Sequence, residues 1–414
     1  MMRQILTVAI FLLTSLQMPG QRNEIYNDRI ASLQVVAGED WLSLPVITLN
    51  GSTPIIISFD DLTHDYTRFC YKLIHCEADW TPSDQLFSSD YCDGFAEGNT
   101  IDDISQSINT NTLYTHYRLQ LPNSNCRMKM SGNYKLVVYD ENDEDNVVFT
   151  ACFMVVDPLM GVGLNIVTNT DIDVNNQHQQ VEMDLNYNQA FRVTDYQRQI
   201  KTVVLQNGRW DNAVWNPQPQ FVTNDGLRWE HCRQLIFPGG NEYRKFEMLD
   251  MTHTTMGLEN IHWDGREYQA YVWTDEPRKN YVYDEDANGA FYIRNSDNVE
   301  NDEASDYAFV HFRLLAPKQT DGVYLNGVWT NGQFLPKYKL EYNEENQSYE
   351  VAVPLKEGYY SYQYLSVGSD GVGRQLPSEG NFYQTENTYQ ALVYYRGNGD
   401  RTDRLVGYQD VQFK

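Results

Sequence analysis

Residues 57–83, ISFDDLTHDYTRFCYKLIHCEADWTPS, constrain this chain more than any other stretch. From Thr67 to Cys76 the residues alternate: Phe69, Tyr71 and Leu73 fall on one face, and Cys70, Lys72, Ile74 and Cys76 on the other. A repeat of two specifies an extended strand, because successive side chains of a strand point to opposite sides. A second strand precedes it across a polar connection. The strand then runs into His75-Cys76-Glu77-Ala78-Asp79-Trp80, closed by Thr81-Pro82-Ser83. Metal-binding residue types crowd there beside an indole.

The same alternation recurs over residues 114–121, 133–139, 147–156, 202–206, 268–273, 307–315, 322–325, 349–353, 358–365 and 389–395. Turn dipeptides stand between these runs: Asn207-Gly208, Asn326-Gly327 and Asn331-Gly332. Asn-Gly supplies the two positive φ angles of a tight hairpin turn. The 30 Tyr, 17 Phe and 8 Trp favour strands as well. Helical periodicity is nearly absent. The pattern predicts an all-β protein of three immunoglobulin-like or early-set sandwiches in series. We place the first sandwich at 21–157, ending at Asp157-Pro158, and the second at 158–297. An acidic linker at 298–305 follows, and then a third sandwich at 306–414.

Residues 1–20 read as an export signal. Arg3 starts it, and the apolar run Ile5 to Leu16 is too short to span a bilayer, with cleavage near Gly20. The expected mature protein begins near Gln21, is soluble and periplasmic, and carries no lipid. The formal charge of −26 becomes about −27 after cleavage, since Arg3 is the only charged residue lost. Such an excess repels nucleic acid and anionic lipid, which makes both poor partners, and suits solubility, divalent cations or a basic protein surface instead. Six cysteines, at 70, 76, 92, 126, 152 and 232, permit disulfides in an exported chain. Cys70 and Cys76 stand roughly 20 Å apart on one strand, at ~3.3 Å per residue, and cannot pair. Cys76 with Cys92, and Cys126 with Cys152, remain open, as do buried thiols.

Several residue groups suggest chemistry. His75, Cys76, Glu77 and Asp79 hold metal-ligand types, but structural zinc usually needs a second ligand cluster, which is missing. We read them as a capped strand end with Trp80 in the core. Asp284-x-Asp286-x-Asn288-Gly289 matches the first half of a calcium loop, yet its twelfth position is Asn295 rather than Glu. A turn with Asn288-Gly289 at its tip, between two strands, explains the same residues. Asp60-Asp61 and Asp102-Asp103 are adjacent carboxylates of the kind a glycosidase uses, but 57 acidic residues produce such pairs by chance. No G-x-S-x-G elbow occurs. The expectation is no enzyme, no catalytic residue, no resident metal and no cofactor.

SFDDL at 58–62, YKLIHCEADW at 71–80, YCDGF at 91–95 and YTHYRLQLPN at 114–123 together resemble the type IX secretion system plug protein family. SGNYKLVVYD at 131–140, VVLQNGRWDNA at 203–213, GGNEYRKFEM at 239–248 and DANGAF at 286–291 extend the resemblance. DYAFVHFRL at 306–314, GYYSYQYL at 358–365 and EGNFYQTENTYQALVYYR at 379–396 complete it. His75, Cys76, Asp79 and Trp80 stand in its most distinctive string. The resemblance implies a periplasmic protein that caps the periplasmic opening of a large outer-membrane translocon β-barrel and stops leakage when no cargo is in transit. It implies no insertion into the membrane. The third block also resembles the early-set sandwiches of glycogen-binding modules, through residues 323–332 and 358–364. That likeness gives a second reading, a carbohydrate-binding protein with Trp329 as its stacking platform.

Overall fold

Strand follows strand through the computed structural model of this protein, which describes residues 23–188 and 191–414. The export signal expected at 1–20 lies outside the described residues. Among the described residues α-helix is confined to single turns, such as Ser88–Tyr91 and Asn301–Ala304. The strands form several mostly antiparallel sheets.

The first unit is built as the alternation predicts. Phe69–Cys76 pairs antiparallel with Gly132–Asp140, which pairs with the long strand Asp143–Val156. A second sheet runs Ile30–Ala37, Ile55–Asp61, Thr115–Leu121 and Asp103–Gln106. Both sheets feed one core, in which Phe59 stacks on Tyr117 at 5.0 Å and meets Phe149 edge-on at 4.7 Å. Phe59, Phe69, Tyr117 and Phe149 are fully buried. Burying a side chain of this kind contributes roughly 1.5–3 kcal/mol. The strand Phe69–Cys76 is buried except at Lys72 and Ile74, which are half-buried.

The second and third units are not consecutive in the chain. Ile200–Gln206 pairs along its whole length with Asn387–Tyr395, and that strand pairs with Arg404–Phe413. The second core therefore joins Val181, Met183, Val204, Trp229 and Phe237 to Tyr389, Val393 and Val406 from the far end of the sequence. The third unit lies between these pieces. Its strands Arg244–Met248 and Phe291–Ile293 flank Gly358–Val367, and Tyr268–Val272 runs parallel to Tyr307–Leu315. Phe246, Phe291, Phe312, Tyr360 and Tyr362 share its core. Three sandwiches in series, with boundaries at 297 and 306, do not describe this pairing. The third unit is inserted into the second. A parallel pair needs a long crossover, and residues 273–306 supply it here.

The acidic segment 298–305 is not a linker. Asn301–Ala304 forms one helical turn, and Ser305 is fully buried. The Tyr114 hydroxyl donates to the carbonyls of Asp302, at 3.0 Å, and Ser305, at 2.8 Å. The Ile108 amide donates to Glu303. The segment's backbone thus satisfies donors of the first unit, and two of its side chains face that unit as well, Glu303 accepting from Ser105 at 2.9 Å and Asp302 lying 3.7 Å from His116.

Of the Asn-Gly pairs at 207, 326 and 331, the first and last form turns. Asn207 and Gly208 have φ of 54° and 66°, and Asn331 and Gly332 have 57° and 65°. Asn326 instead ends the strand Gly322–Asn326, and Gly327 is extended. A Cβ on Gly327 would come 2.4 Å from the Trp329 indole nitrogen, so close packing explains that glycine.

Candidate functional site: the junctions between units

Where the strand Phe69–Cys76 stops, the chain turns sharply. The Trp80 amide donates to Glu77 O at 3.0 Å, and Trp80 takes a φ of 66°. The Asp79 carboxylate accepts from the amide and hydroxyl of Thr81, at 3.1 and 2.6 Å, and so holds the turn. The strained backbone aims the indole away from the first unit's own core. Trp80 meets Trp210 of the second unit edge-on at 5.6 Å and is fully buried. Around it Ala78, Cys152, Met154 and Val156 pack on Val203, Leu205, Leu392, Tyr394 and Leu405. The conspicuous cluster is the joint between two units.

Polar groups lock this joint. The Asn133 amide donates to the carbonyls of Glu77 and Ala78, at 2.9 and 3.2 Å, and its oxygen accepts from the Tyr394 hydroxyl at 2.9 Å. Asp403 accepts from the Ala78 amide at 3.1 Å and from Lys201 Nζ at 2.7 Å. Glu77 accepts from the Asp403 amide at 2.9 Å. His75 Nδ1 lies 2.9 Å from Ser83 Oγ, which reaches Thr402 Oγ1 at 2.8 Å. Burial pushes the His75 imidazole down to about 4, so it is neutral at ordinary pH. Burial likewise pushes the Cys76 thiol up to about 12. The four side chains diverge: His75 packs against Tyr134, Asp79 binds its own turn, Glu77 reaches across the joint, and Cys76 is sealed.

A second buried cluster joins the first and third units. Asp60 Oδ1 accepts from His116 Nδ1 at 2.7 Å, and Oδ2 accepts from Tyr307 and from Lys356 Nζ, both at 2.6 Å. Asp60 is fully buried and Lys356 nearly so. Burial opposes the carboxylate's charge, but Lys356 and His116 outweigh it and hold Asp60 below its ordinary value. Lys356 Nζ also lies 4.0 Å from the Tyr114 ring centre. The Asp60–His116 pair has the outline of an acid–base dyad, yet it is shut beneath Tyr307 and Lys356, and Tyr307 in turn reaches Ser32 Oγ at 2.7 Å. Asp61 faces Arg29 at 3.6 Å, and Asp103 faces Arg118 at 3.9 Å, so neither adjacent pair forms two cooperating carboxylates.

Within the third unit a further buried cluster centres on Glu379. Its carboxylate accepts from Arg244 at 2.9 and 3.0 Å and from Arg278 at 2.7 Å, with no exposure. Burial works against its ionisation, but the two guanidiniums prevail and lower it. Arg244 also donates to Asp275 at 2.6 Å, which accepts from Tyr362 and Tyr364. Gln179 and Asn387 tie the two connecting segments together through carbonyls of Tyr383, Thr385 and Gly239.

The other candidates take local roles. Asp284 pairs with Lys245 at 2.6 Å, while Asp286 accepts from the amides of Tyr243 and Asn288. Burial raises the Asp286 carboxyl to about 7. Asn288 and Gly289 have φ of 48° and 87° and turn the chain into the strand Phe291–Ile293. The chain before that turn is irregular, so it does not link two strands. Trp329 is no platform. It is 7% exposed, its Nε1 donates to Ser361 O at 3.1 Å, and Phe312, Tyr338 and Tyr360 enclose it. A sugar could stack on it only after the core opened.

The model of the type 9 secretion system plug protein first domain matches residues 30–157. The chain belongs to that plug protein family. A crystal structure described as a hypothetical protein from Parabacteroides merdae ATCC 43184 is 44% identical, with a TM-score of 0.91. The match covers 95% of this chain and 100% of that one. A comparison with curated proteins gives no match. In this plug-family protein the matched residues span the first unit and contribute Asp60, His75, Trp80 and Asn133 to the two joints it makes.

Proposed function

We propose that this protein is a non-enzymatic periplasmic plug that caps the periplasmic opening of the type IX secretion translocon barrel when no cargo is in transit. The carrying observation is that buried hydrogen-bonded clusters centred on Asn133 and Asp60 join the first unit to the second and the third, while Arg209 and Asp211 of the second unit bond the backbone of Gly373 in the third. A cap over a wide pore must resist bending, and welded units do so where flexible linkers would not. On this reading each unit is an immunoglobulin-like sandwich, the third of early-set type, serving as a rigid block. No helix among the described residues is long and apolar enough to cross a membrane. The formal charge of −26 favours a basic rim on the barrel, which speeds docking by complementarity. Deleting the protein should make the outer membrane leaky to large antibiotics only when the barrel is present. Equal leakiness without the barrel overturns the proposal.

A further inference from the structure

The six thiols are buried, and two of them touch. Cys92 opens the strand Cys92–Gly94 and Cys126 opens Cys126–Met128. The strands pair antiparallel, with Cys126 opposite Gly94 and Cys92 opposite Met128, so the cysteines are diagonal neighbours. Their sulfurs stand 3.2 Å apart and face the first unit's core. Gly94, at a φ of 95°, makes this approach possible: a Cβ there would lie 2.2 Å from Asn125 O and force the strands apart. The pairings left open by sequence, Cys76 with Cys92 and Cys126 with Cys152, are not the ones the fold brings together.

We propose that Cys92 and Cys126 are a disulfide-forming pair, oxidised in the compartment where the protein works. The bond would staple the two strands of this ribbon to each other, beside Phe87 and Phe95, which are 75% and 71% exposed. The oxidant is a small-molecule or protein disulfide. Cys92 as thiolate attacks one of its sulfurs and expels the other. Cys126 then gives up its proton, attacks the Cys92 sulfur and releases the second carrier sulfur. Two S–H bonds and the carrier's S–S bond break, one protein S–S bond forms, and both protons end on the reduced carrier. Contact with Cys126 lowers the Cys92 thiol to about 7, which suits it for the first attack. Because Cys92 is 3% exposed, the attack takes place before the core closes or through local opening of the ribbon.

The oxidised state in cells rests on the periplasmic reading, whereas the pairing itself does not. Purified full-length protein, refolded with reduced and oxidised glutathione and digested without reductant, should yield a peptide joining Cys92 to Cys126. No such peptide, or a link between another pair, overturns the proposal. Protein alkylated directly in its host cells should carry the same link. Free thiols there, with linkage in glutathione, overturn the oxidised state in cells and leave the leak test above intact. Reductant should lower the melting temperature by roughly 5–10 °C, since the bond restrains the unfolded chain between the two cysteines. Cys92→Ser and Cys126→Ser should match reduced wild type and no longer respond to reductant. An unchanged wild-type melting temperature on reduction counts against the staple.

Discussion

Trp80 and Trp210 meet edge to face with ring centres 5.6 Å apart, one from each side of the joint between the first and second units. The contact fixes two blocks of the chain that are far apart in sequence. Trp80→Ala should cost about 3–5 kcal/mol, the usual loss for a buried Trp. Urea unfolding followed by calorimetry should show the first unit melting separately from the second. A single unchanged transition would refute this role for the pair.

Asp60 and Lys356 make the corresponding test of the joint to the third unit. Asp60→Asn or Lys356→Met alone should destabilise by about 3–5 kcal/mol, because each leaves a buried charge without its partner. The double variant should lose less than the sum of the two. Additive losses in a double-mutant cycle would mean the charges do not act on each other.

His75 should give stability a pH dependence. Its folded-state value, about 4, lies below the ordinary 6.5, so the unfolded chain binds a proton first as pH falls. Stability from this group is complete above about 6.5 and is lost as pH drops toward about 4, by up to about 3 kcal/mol. Measured between pH 7 and 4, His75→Gln should show a shallower decline than wild type. Parallel curves would show that His75 does not set the slope.

Segment 296–305 should resist limited proteolysis despite its acidic, polar sequence. Ser305 is buried, and the carbonyls of Asp302 and Ser305 are held by Tyr114. Tyr114→Phe removes only that hydroxyl and should open the segment to cleavage. Early cutting of the wild type here would contradict the packing.

Strand existence was legible from alternation and turn residues. Tyr307–Leu315 occupies the span its pattern marks, and Gly358–Val367 runs two residues beyond the span read from sequence. Strand partnership was not, because period two says which face a residue takes but not which strand lies beside it. Ile200–Gln206 finds Asn387–Tyr395 across the whole inserted unit. Sites failed for the same reason. Asp60 looked like one of two adjacent carboxylates, while its partners are His116, Tyr307 and Lys356. Trp329 looked exposed because the rings that enclose it, Phe312 and Tyr360, lie elsewhere in the sequence. Trp80 is buried, as its apolar character suggested, but in the joint between two units rather than in the first unit's own core, because Trp210 and the strands that cover it lie far along the sequence.

The insertion of the third unit into the second has a consequence for synthesis. The strand Arg404–Phe413 closes the second unit's outer sheet, and Asp403 beside it fastens Ala78 of the first. The earliest-made unit thus waits for residues made among the last before its joint can shut. A chain clipped before residue 403 would fold a good first unit and still present an open seam. The topology works as a length check, under which only a chain made through these last strands presents a closed face.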